Sequence, residues 1–165
     1  MDYKVPPLTK IGHVHLKVAD LKRSIDFYTG VLGFEITQFF GDSAVFVSAG
    51  GYHHHIGLNT WYSKNAPPAP EHTAGLFHVA ILYSERKELA AIVKRLSDHD
   101  YPLTGASDHG VSEAVYLNDP DGNGLELYWD KPKDSWPMKN EKLEMGTLPL
   151  DLEGLMKELE GRVKG

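Results

Sequence analysis

The sequence of 165 residues contains no cysteine. That absence excludes thiol nucleophiles, disulfide bonds and sulfur-ligated metal sites. The chain also has no apolar run close to the roughly 20 residues that a membrane-spanning helix needs. Its first residues lack the apolar segment that is typical of a secretion signal. We therefore expect a cytoplasmic protein that does not enter a membrane.

Positive charge is scarce as well. The chain has 17 Lys and Arg against 23 Asp and Glu, which gives a formal net charge of -6. Such a chain repels phosphate backbones and anionic lipid, so nucleic acid is not an expected partner. Histidine, by contrast, is abundant, with nine residues. Because a neutral imidazole binds zinc, copper, iron and nickel and titrates near neutral pH, the histidines are the first candidates for metal ligands and acid–base groups.

The chain contains an internal repeat. A strand pattern that includes His13 precedes an amphipathic helix opening at Asp20, and the same order recurs around His78 with a helix from about Glu85. Three short β segments are predicted after each helix, at residues 34–40, 43–48 and 52–59 and at residues 102–106, 112–118 and 123–129. The sequence thus predicts an α+β fold of two paired βαβββ modules in a single domain, residues 1–165.

Composition sets the limits of the modules. The first is predicted at residues 8–60 and the second at 75–130, and the segment 61–74 between them is too rich in proline for a central strand. Residues 131–165 are predicted to form an irregular tail that ends in a short amphipathic helix capped by Asp151. This helix is expected to dock on the domain or on a second copy, and its acidic face favours a homodimer.

Alternation along the predicted strands separates aliphatic side chains from a polar face. On four strands the polar face turns His13, His78, Tyr116 and Glu126 toward a common concavity. Two imidazoles and one carboxylate form the set that binds Fe(II) and leaves adjacent coordination positions open. Nitrogen and oxygen ligands alone do not distinguish iron from manganese, zinc or nickel. His15 shares the face of His13 and is predicted to line the concavity or to touch a substrate.

Three motifs resemble one family. The stretch Gly-His-Val-His-Leu-Lys-Val-Ala-Asp-Leu from Gly12, the sequence Val-Leu-Gly-Phe at 31–34 and the turn Asp-Pro-Asp-Gly-Asn at 119–123 are typical of the vicinal oxygen chelate superfamily. That superfamily pairs βαβββ modules around one metal ion. The resemblance covers residues 8–130 and implies an open barrel of mixed sheets around one metal site.

Further segments resemble the type I extradiol dioxygenases of the catechol 2,3-dioxygenase kind. They are His-Gly-Val-Ser from His109, Tyr116 ahead of Glu126, His-Ile-Gly-Leu after His54, and the tail from Trp136. The resemblance implies extradiol (meta) cleavage of a catechol-type aromatic by O₂. It implies Fe(II), with Mn(II) also possible, held by two histidines and one glutamate, and it implies His54, His109 and Tyr116 as catalytic residues. Many such enzymes carry a second, N-terminal pair of modules, so here the site is expected from two modules and any contact between copies.

The metal ligands implied in this way are His13, His78 and Glu126. A catechol suits them chemically, because its two adjacent oxygens chelate one metal ion and binding to a dication favours its deprotonated form. Holding the catechol and O₂ on neighbouring positions turns an improbable encounter into a positioned reaction. A histidine that titrates near neutral pH can take and return the proton that the reaction moves.

The assignment of the acid–base histidine depends on the register at His53–His55. Strict alternation places His54 on the same face as the apolar residues Ile56 and Leu58, which is the face away from the site. The resemblance nevertheless selects His54 for the site. A bulge at Gly50–Gly51, or a strand that begins near His54, would reconcile the two. We expect His54 to be the acid–base residue, with His55 as the alternative.

Two other functions share the fold that the resemblance implies. A glyoxalase-like isomerase or epimerase would use nickel or zinc and a second Glu ligand on the last strand of the first module, where this chain has His53–His55 and no Glu. A binding protein of the bleomycin-resistance type would hold a drug and need no metal. The intact set of two histidines and one glutamate, together with His109 and Tyr116, argues against the binding protein.

Overall fold

The computed structural model describes residues 2–70 and 72–160. The chain divides into two compact units, one up to Pro67 and the other from Pro68. Each unit contains one strand–helix–three-strand module, which confirms the predicted α+β class with two βαβββ modules. Among the described residues the strands form separate sheets, and none of these sheets closes on itself.

The first unit is built on a mixed sheet of four strands. They are β1 (Val14–Lys17), β2 (Glu35–Phe40), β3 (Ala44–Ser48) and β4 (Ile56–Asn59), in the spatial order β1-β4-β3-β2. β1 and β4 run parallel, whereas the other neighbouring pairs are antiparallel. The last strand of the module therefore lies beside the first, and both strands start at the same end of the sheet.

The helix of the first unit begins at a capping aspartate. Asp20 accepts a hydrogen bond from the backbone N–H of Arg23 at 3.0 Å, and α1 (Leu21–Ile25) continues as a π-helical segment, Asp26–Val31. The side chains that this helix and the sheet bury against each other are apolar. They are Leu16, Val18, Phe27, Tyr28, Leu32, Val45, Val47, Ile56 and Leu58. The aliphatic face predicted for the first strand is thus the core face of this unit.

The second unit contains a sheet of five strands. These are β5 (Val79–Tyr83), β6 (Gly105–Asp108), β7 (Ser112–Asn118), β8 (Gly124–Asp130) and, after the short pair β9 (Met138–Lys139) and β10 (Lys142–Leu143), β11 (Leu148–Pro149). Their order is β11-β6-β7-β8-β5, with β5 and β8 parallel. The pairing of first and last strands thus repeats that of the first unit.

Helix α2 (Arg86–Asp98) covers this second sheet. Its first turn carries a capping box in which Glu85 and Glu88 satisfy each other's backbone N–H groups. The buried residues of the helix recur at helical spacing. They are Leu89, Ala90, Ile92, Val93 and Leu96.

The first strand of each module and the last strand of the first module begin later than the sequence pattern predicts. The first strand of each module starts directly after its histidine, so that His13 and His78 each precede a strand rather than lying on one. The last strand of the first module starts at Ile56, not near residue 52, because the chain turns at Gly50 and Gly51, both of which have positive φ. Simple alternation therefore does not apply at His53–His55.

The tail after the second module is more regular than predicted. A 3₁₀ turn at Lys133–Ser135 leads into the strands β9 and β10, and β11 extends the main sheet by pairing with β6. Strands of two residues carry too little side-chain pattern to be recognised from sequence. No helix in the described ranges has the length and apolar character needed to cross a membrane.

The terminal helix docks on the second unit. Asp151 caps α3 (Leu152–Met156), which packs against α2 and is followed by a 3₁₀ turn at Lys157–Leu159. Arg86 of α2 stabilises this contact, because it donates to Glu158 Oε1 in the tail at 2.8 Å. Arg86 also donates to Glu113 Oε2 on β7, at 2.7 Å. The tail helix is therefore part of the packing of this unit.

We predict that Leu155→Ala destabilises the protein. Leu155 is completely buried, so its truncation leaves a cavity and lowers the free energy of unfolding by about 2–5 kcal/mol. Leu152, on the same helix but 39% exposed, is the control, and Leu152→Ala changes stability by about 0.5 kcal/mol or less. Urea unfolding followed by circular dichroism measures both values, and equal effects would contradict the docking of α3.

Candidate functional site

A line of hydrogen-bonded side chains runs across the second unit. His78 Nε2 lies 3.1 Å from Glu126 Oε2, and the hydroxyl of Tyr116 donates to Glu126 Oε1 at 2.8 Å. His109 Nε2 lies 2.6 Å from the same hydroxyl. The register places these groups together, because Tyr116 pairs directly with Glu126 across β7 and β8 and β5 runs alongside β8.

The start of β8 is shaped to let His78 approach. A Cβ atom at Gly124 would overlap the carbonyl oxygen of Phe77 and come within 3.2 Å of the Cβ of His78. Glycine at this position therefore allows the strand that carries Glu126 to lie directly against the segment that carries His78. The predicted parity placed both side chains correctly, although His78 stands one residue ahead of its strand.

His78 and Glu126 fit two ligands of one metal ion. Ligand atoms each about 2.1 Å from an ion and at about a right angle would lie about 3.0 Å apart, close to the separation observed here. His78 Nδ1 is buried and is the one such side-chain atom without a hydrogen-bond partner in the part of the chain that the structure describes. Tyr116 holds the second carboxylate oxygen and so orients Glu126.

The groups that can only accept hydrogen bonds determine which atoms along this line carry protons. The carbonyl of Gly146 lies 2.8 Å from His109 Nδ1 and can only accept, so this nitrogen carries a proton. Tyr116 has one proton for two neighbours, Glu126 and His109. While it donates to the carboxylate, His109 Nε2 must donate to the phenol oxygen, which requires a doubly protonated ring.

Tyr116 itself is held in its neutral form. Burial raises its pKa above the ordinary value of 10.0, and the hydrogen bond to Glu126 and the charge of that carboxylate raise it further. A phenol is neutral when protonated, so this shift extends the pH range in which Tyr116 is a hydrogen-bond donor.

In the first unit, strand pairing brings His13 and His54 together. Val14 pairs with Ile56 in the parallel β1–β4 ladder, and the N–H of Val14 donates to the carbonyl of His55 at 3.0 Å. The residues that precede the two strands are therefore neighbours. The ring centroids of His13 and His54 are 4.4 Å apart.

The three consecutive histidines have different surroundings. His55 Nδ1 accepts from the N–H of Ala49 at 3.3 Å and lies 2.9 Å from Ser48 Oγ, so this ring supports the preceding turn. His54 is half-buried, and its Nδ1 lies 2.7 Å from that of His53. Burial lowers the pKa of His54, and the neighbouring imidazoles lower it further. Of the two alternatives left by the sequence, His54 is the one beside His13.

His15 lies on the same face as His13, as predicted from alternation. Its ring covers Gly57, where a Cβ atom would come within 2.8 Å of the imidazole. Phe46 and Trp61 pack edge-on against it, at centroid distances of 5.8 and 5.3 Å. Burial lowers the pKa of His15, and His13 adds to the effect. Sequence reasoning missed Phe46, although its alternation with the buried valines of β3 could have placed it here.

The predicted metal ligands are divided between the units. His78 and Glu126 meet in the second unit, whereas His13 belongs to the first. Within either unit taken alone, no three His, Asp or Glu side chains among residues 2–70 and 72–160 are placed to hold a metal ion. The three-ligand set therefore stays a prediction.

Comparisons with known proteins identify the fold family. Residues 10–127 match the sequence profile described as the Glyoxalase/Bleomycin resistance protein/Dioxygenase superfamily. A catechol-2,3-dioxygenase of Bacillus subtilis is 39% identical over 152 residues, 91% of this chain and 52% of that protein. A biphenyl-2,3-diol 1,2-dioxygenase of Rhodococcus globerulus is 26% identical over 121 residues, 73% of this chain and 63% of that protein. The chain thus spans only part of the length of these relatives.

Solved structures show the same fold. A glyoxalase/dioxygenase from Nostoc punctiforme matches with a TM-score of 0.63 over 80% of this chain and 99% of its own, at 19% identity. At that level of identity the likeness concerns the fold alone.

We predict that Tyr116 does not ionise at pH 10, where an ordinary tyrosine is half ionised. Wild-type protein and Tyr116→Phe should therefore show the same rise in tyrosinate absorbance up to that pH, since the missing phenol contributes nothing to it. An ultraviolet titration of both proteins measures this. A smaller rise in the variant would mean that burial and Glu126 do not keep the phenol of Tyr116 neutral.

Proposed function

Because this chain belongs to the Glyoxalase/Bleomycin resistance protein/Dioxygenase superfamily, we propose that it catalyses extradiol cleavage of a catechol-type aromatic by O₂. The observation that carries the proposal is the line from His109 through Tyr116 to Glu126, with His78 beside the carboxylate. The 39% identity to a catechol-2,3-dioxygenase supports the same reaction class. Its substrates would be a small catechol and O₂.

The proposed metal ligands are His13, His78 and Glu126. The separation of His78 and Glu126 supports two of them, and the place of His13 beside His54 supports the third. Fe(II), or Mn(II), would supply adjacent coordination positions for O₂ and for the two catechol oxygens and would favour the deprotonated catechol. The remaining chemistry belongs to side chains of this protein.

His54 is the proposed acid–base residue. Its lowered pKa favours a neutral ring near neutral pH, which can accept a proton from a catechol hydroxyl and return it later in the cycle. His53 is its hydrogen-bond partner, with the two Nδ1 atoms 2.7 Å apart. His55 is not proposed for this role, because Ala49 and Ser48 already occupy its Nδ1.

His109 and Tyr116 are proposed to give up the hydrogen bonds to each other and to Glu126 when substrate binds, and to donate instead to substrate oxygens on which negative charge develops. The pKa of Tyr116 is raised by burial and by Glu126, so its hydroxyl stays a donor. His15, with Phe46 and Trp61 packed edge-on against it, is proposed to contact the substrate ring.

We predict that protein loaded anaerobically with Fe(II) converts catechol to a yellow semialdehyde and consumes oxygen when air is admitted. His78→Ala should bind less iron and form no product, because one of two neighbouring ligands is lost. His72→Ala is the matched control, since it removes an exposed histidine that has no place in the site. Absorbance and an oxygen electrode follow the reaction. Failure with several catechols, together with nickel-dependent turnover of a hemithioacetal, would assign the protein to the isomerases instead.

We predict that His54→Phe and His55→Phe have different effects. His54→Phe should lower kcat by about 10²–10⁴, the contribution of a general acid–base group, while bound iron is unchanged. His55→Phe should instead lower the melting temperature, because the Ala49 N–H and the Ser48 hydroxyl lose their acceptor. Steady-state kinetics, iron analysis and thermal unfolding separate the two. The reverse pattern would make His55 the acid–base residue.

A further inference from the structure

The turn that carries His109 is tightly constrained. It joins β6 to β7 and is closed by a hydrogen bond from the N–H of His109 to the carbonyl of Ser112 at 2.8 Å. Gly110 has a φ of +79°, a conformation that favours glycine. Its N–H donates to Asp108 Oδ1 at 2.8 Å. Asp108 therefore fixes the backbone on both sides of His109.

Lys131 in turn fixes Asp108. Its ammonium donates to both carboxylate oxygens, at 2.7 and 2.6 Å, and the two side chains are only 22% and 24% exposed. Burial acts to raise the pKa of Asp108, but Lys131 and the N–H of Gly110 outweigh it, so the pKa is lowered. The backbone N–H of Lys131 also donates to the carbonyl of Val111, at 2.8 Å. Lys131, which follows β8, therefore contacts the turn through both its side chain and its backbone N–H.

The tail holds the ring of His109 from the other side. The N–H of Gly146 donates to the carbonyl of His109 at 3.1 Å, and the carbonyl of Gly146 lies 2.8 Å from His109 Nδ1. Leu148 pairs with Asp108 in the β11–β6 ladder, which fixes the tail at this point. With Nδ1 occupied by the tail, only Nε2 of His109 is left to meet Tyr116.

We propose that Lys131 is a positioning residue for His109: by neutralising and orienting Asp108, it keeps Nδ1 of His109 on the Gly146 carbonyl and Nε2 on the Tyr116 hydroxyl. The expected effect on kcat rests on the proposed function. The expected effect on the position of His109 rests only on the contacts of the turn. Without the Lys131 ammonium, the half-buried carboxylate of Asp108 has lost its cation. Asp108 then competes with the Gly146 carbonyl as an acceptor for the ring N–H of His109.

The kinetic test compares Lys131→Met with Lys131→Arg. Methionine keeps the aliphatic stem and the backbone hydrogen bond but removes the charge, and we expect kcat to fall between about tenfold and about a hundredfold while KM changes less than about twofold. Arginine restores the charge and should recover most of kcat. Lys94→Met is the matched control, because it removes an exposed ion pair with Asp98 on α2. An equal fall in kcat for Lys94→Met, or no fall for Lys131→Met, would overturn the proposal.

A second readout needs neither metal nor turnover. Long-range proton–nitrogen spectra of the metal-free protein report which imidazole nitrogen carries the proton, and His109→Gln identifies the signals of His109. We expect a protonated Nδ1 of His109 with the same chemical shift in wild-type protein and in Lys131→Arg, and a changed Nδ1 shift in folded Lys131→Met, because the acceptor of this N–H changes. Identical His109 signals in all three proteins would overturn the proposal. Absence of catechol turnover in wild-type protein would overturn the proposed function alone, since these spectra test Lys131 independently.

Discussion

The parallel pairing of the first and last strands in each module determines which side chains of that module can meet. In a parallel pair both strands start at the same edge, so residues that precede or open them become neighbours. In the first unit this brings His54 beside His13, and in the second it brings Glu126 beside His78. Neither pair is close in sequence. The chemistry of each half therefore depends on a backbone ladder rather than on a local motif.

Burial of the aliphatic faces protects that ladder from slipping. A shift by one residue would turn Leu125 and Leu127, both almost completely buried, toward the polar face and send Glu126 into the core. An unpaired carboxylate there would be strongly destabilising. The register that packs β8 against α2 is thus the register that pairs Tyr116 with Glu126. Stability and the geometry of the polar line have a common cause.

Periodicity in the sequence predicted the parts of the site that depend on the repeat and on strand alternation. The repeat placed His13 and His78 at equivalent positions, and alternation placed Tyr116 and Glu126 on one face. Alternation could not choose between His54 and His55, because the strand starts at Ile56 and alternation does not apply before it, so the choice of His54 depended on the family resemblance. The sequence pattern also did not predict the hydrogen bonds that backbone groups make in the site. The carbonyl of Gly146 and the two-residue strand β11 leave no side-chain pattern, since any residue offers a carbonyl.

The direction of the polar line in the second unit follows from its two ends. A backbone carbonyl at one end can only accept, and an ionised carboxylate at the other end can only accept, so the groups between them must supply all the donors. A tyrosinate in the middle would be a buried charge and would place a second negative charge against Glu126, and these two effects, burial first, raise the pKa of Tyr116. His109 therefore meets the carbonyl of Gly146 with Nδ1 and the hydroxyl of Tyr116 with Nε2. The peptide carbonyl of Gly146, in the tail, therefore decides which nitrogen of His109 faces Tyr116.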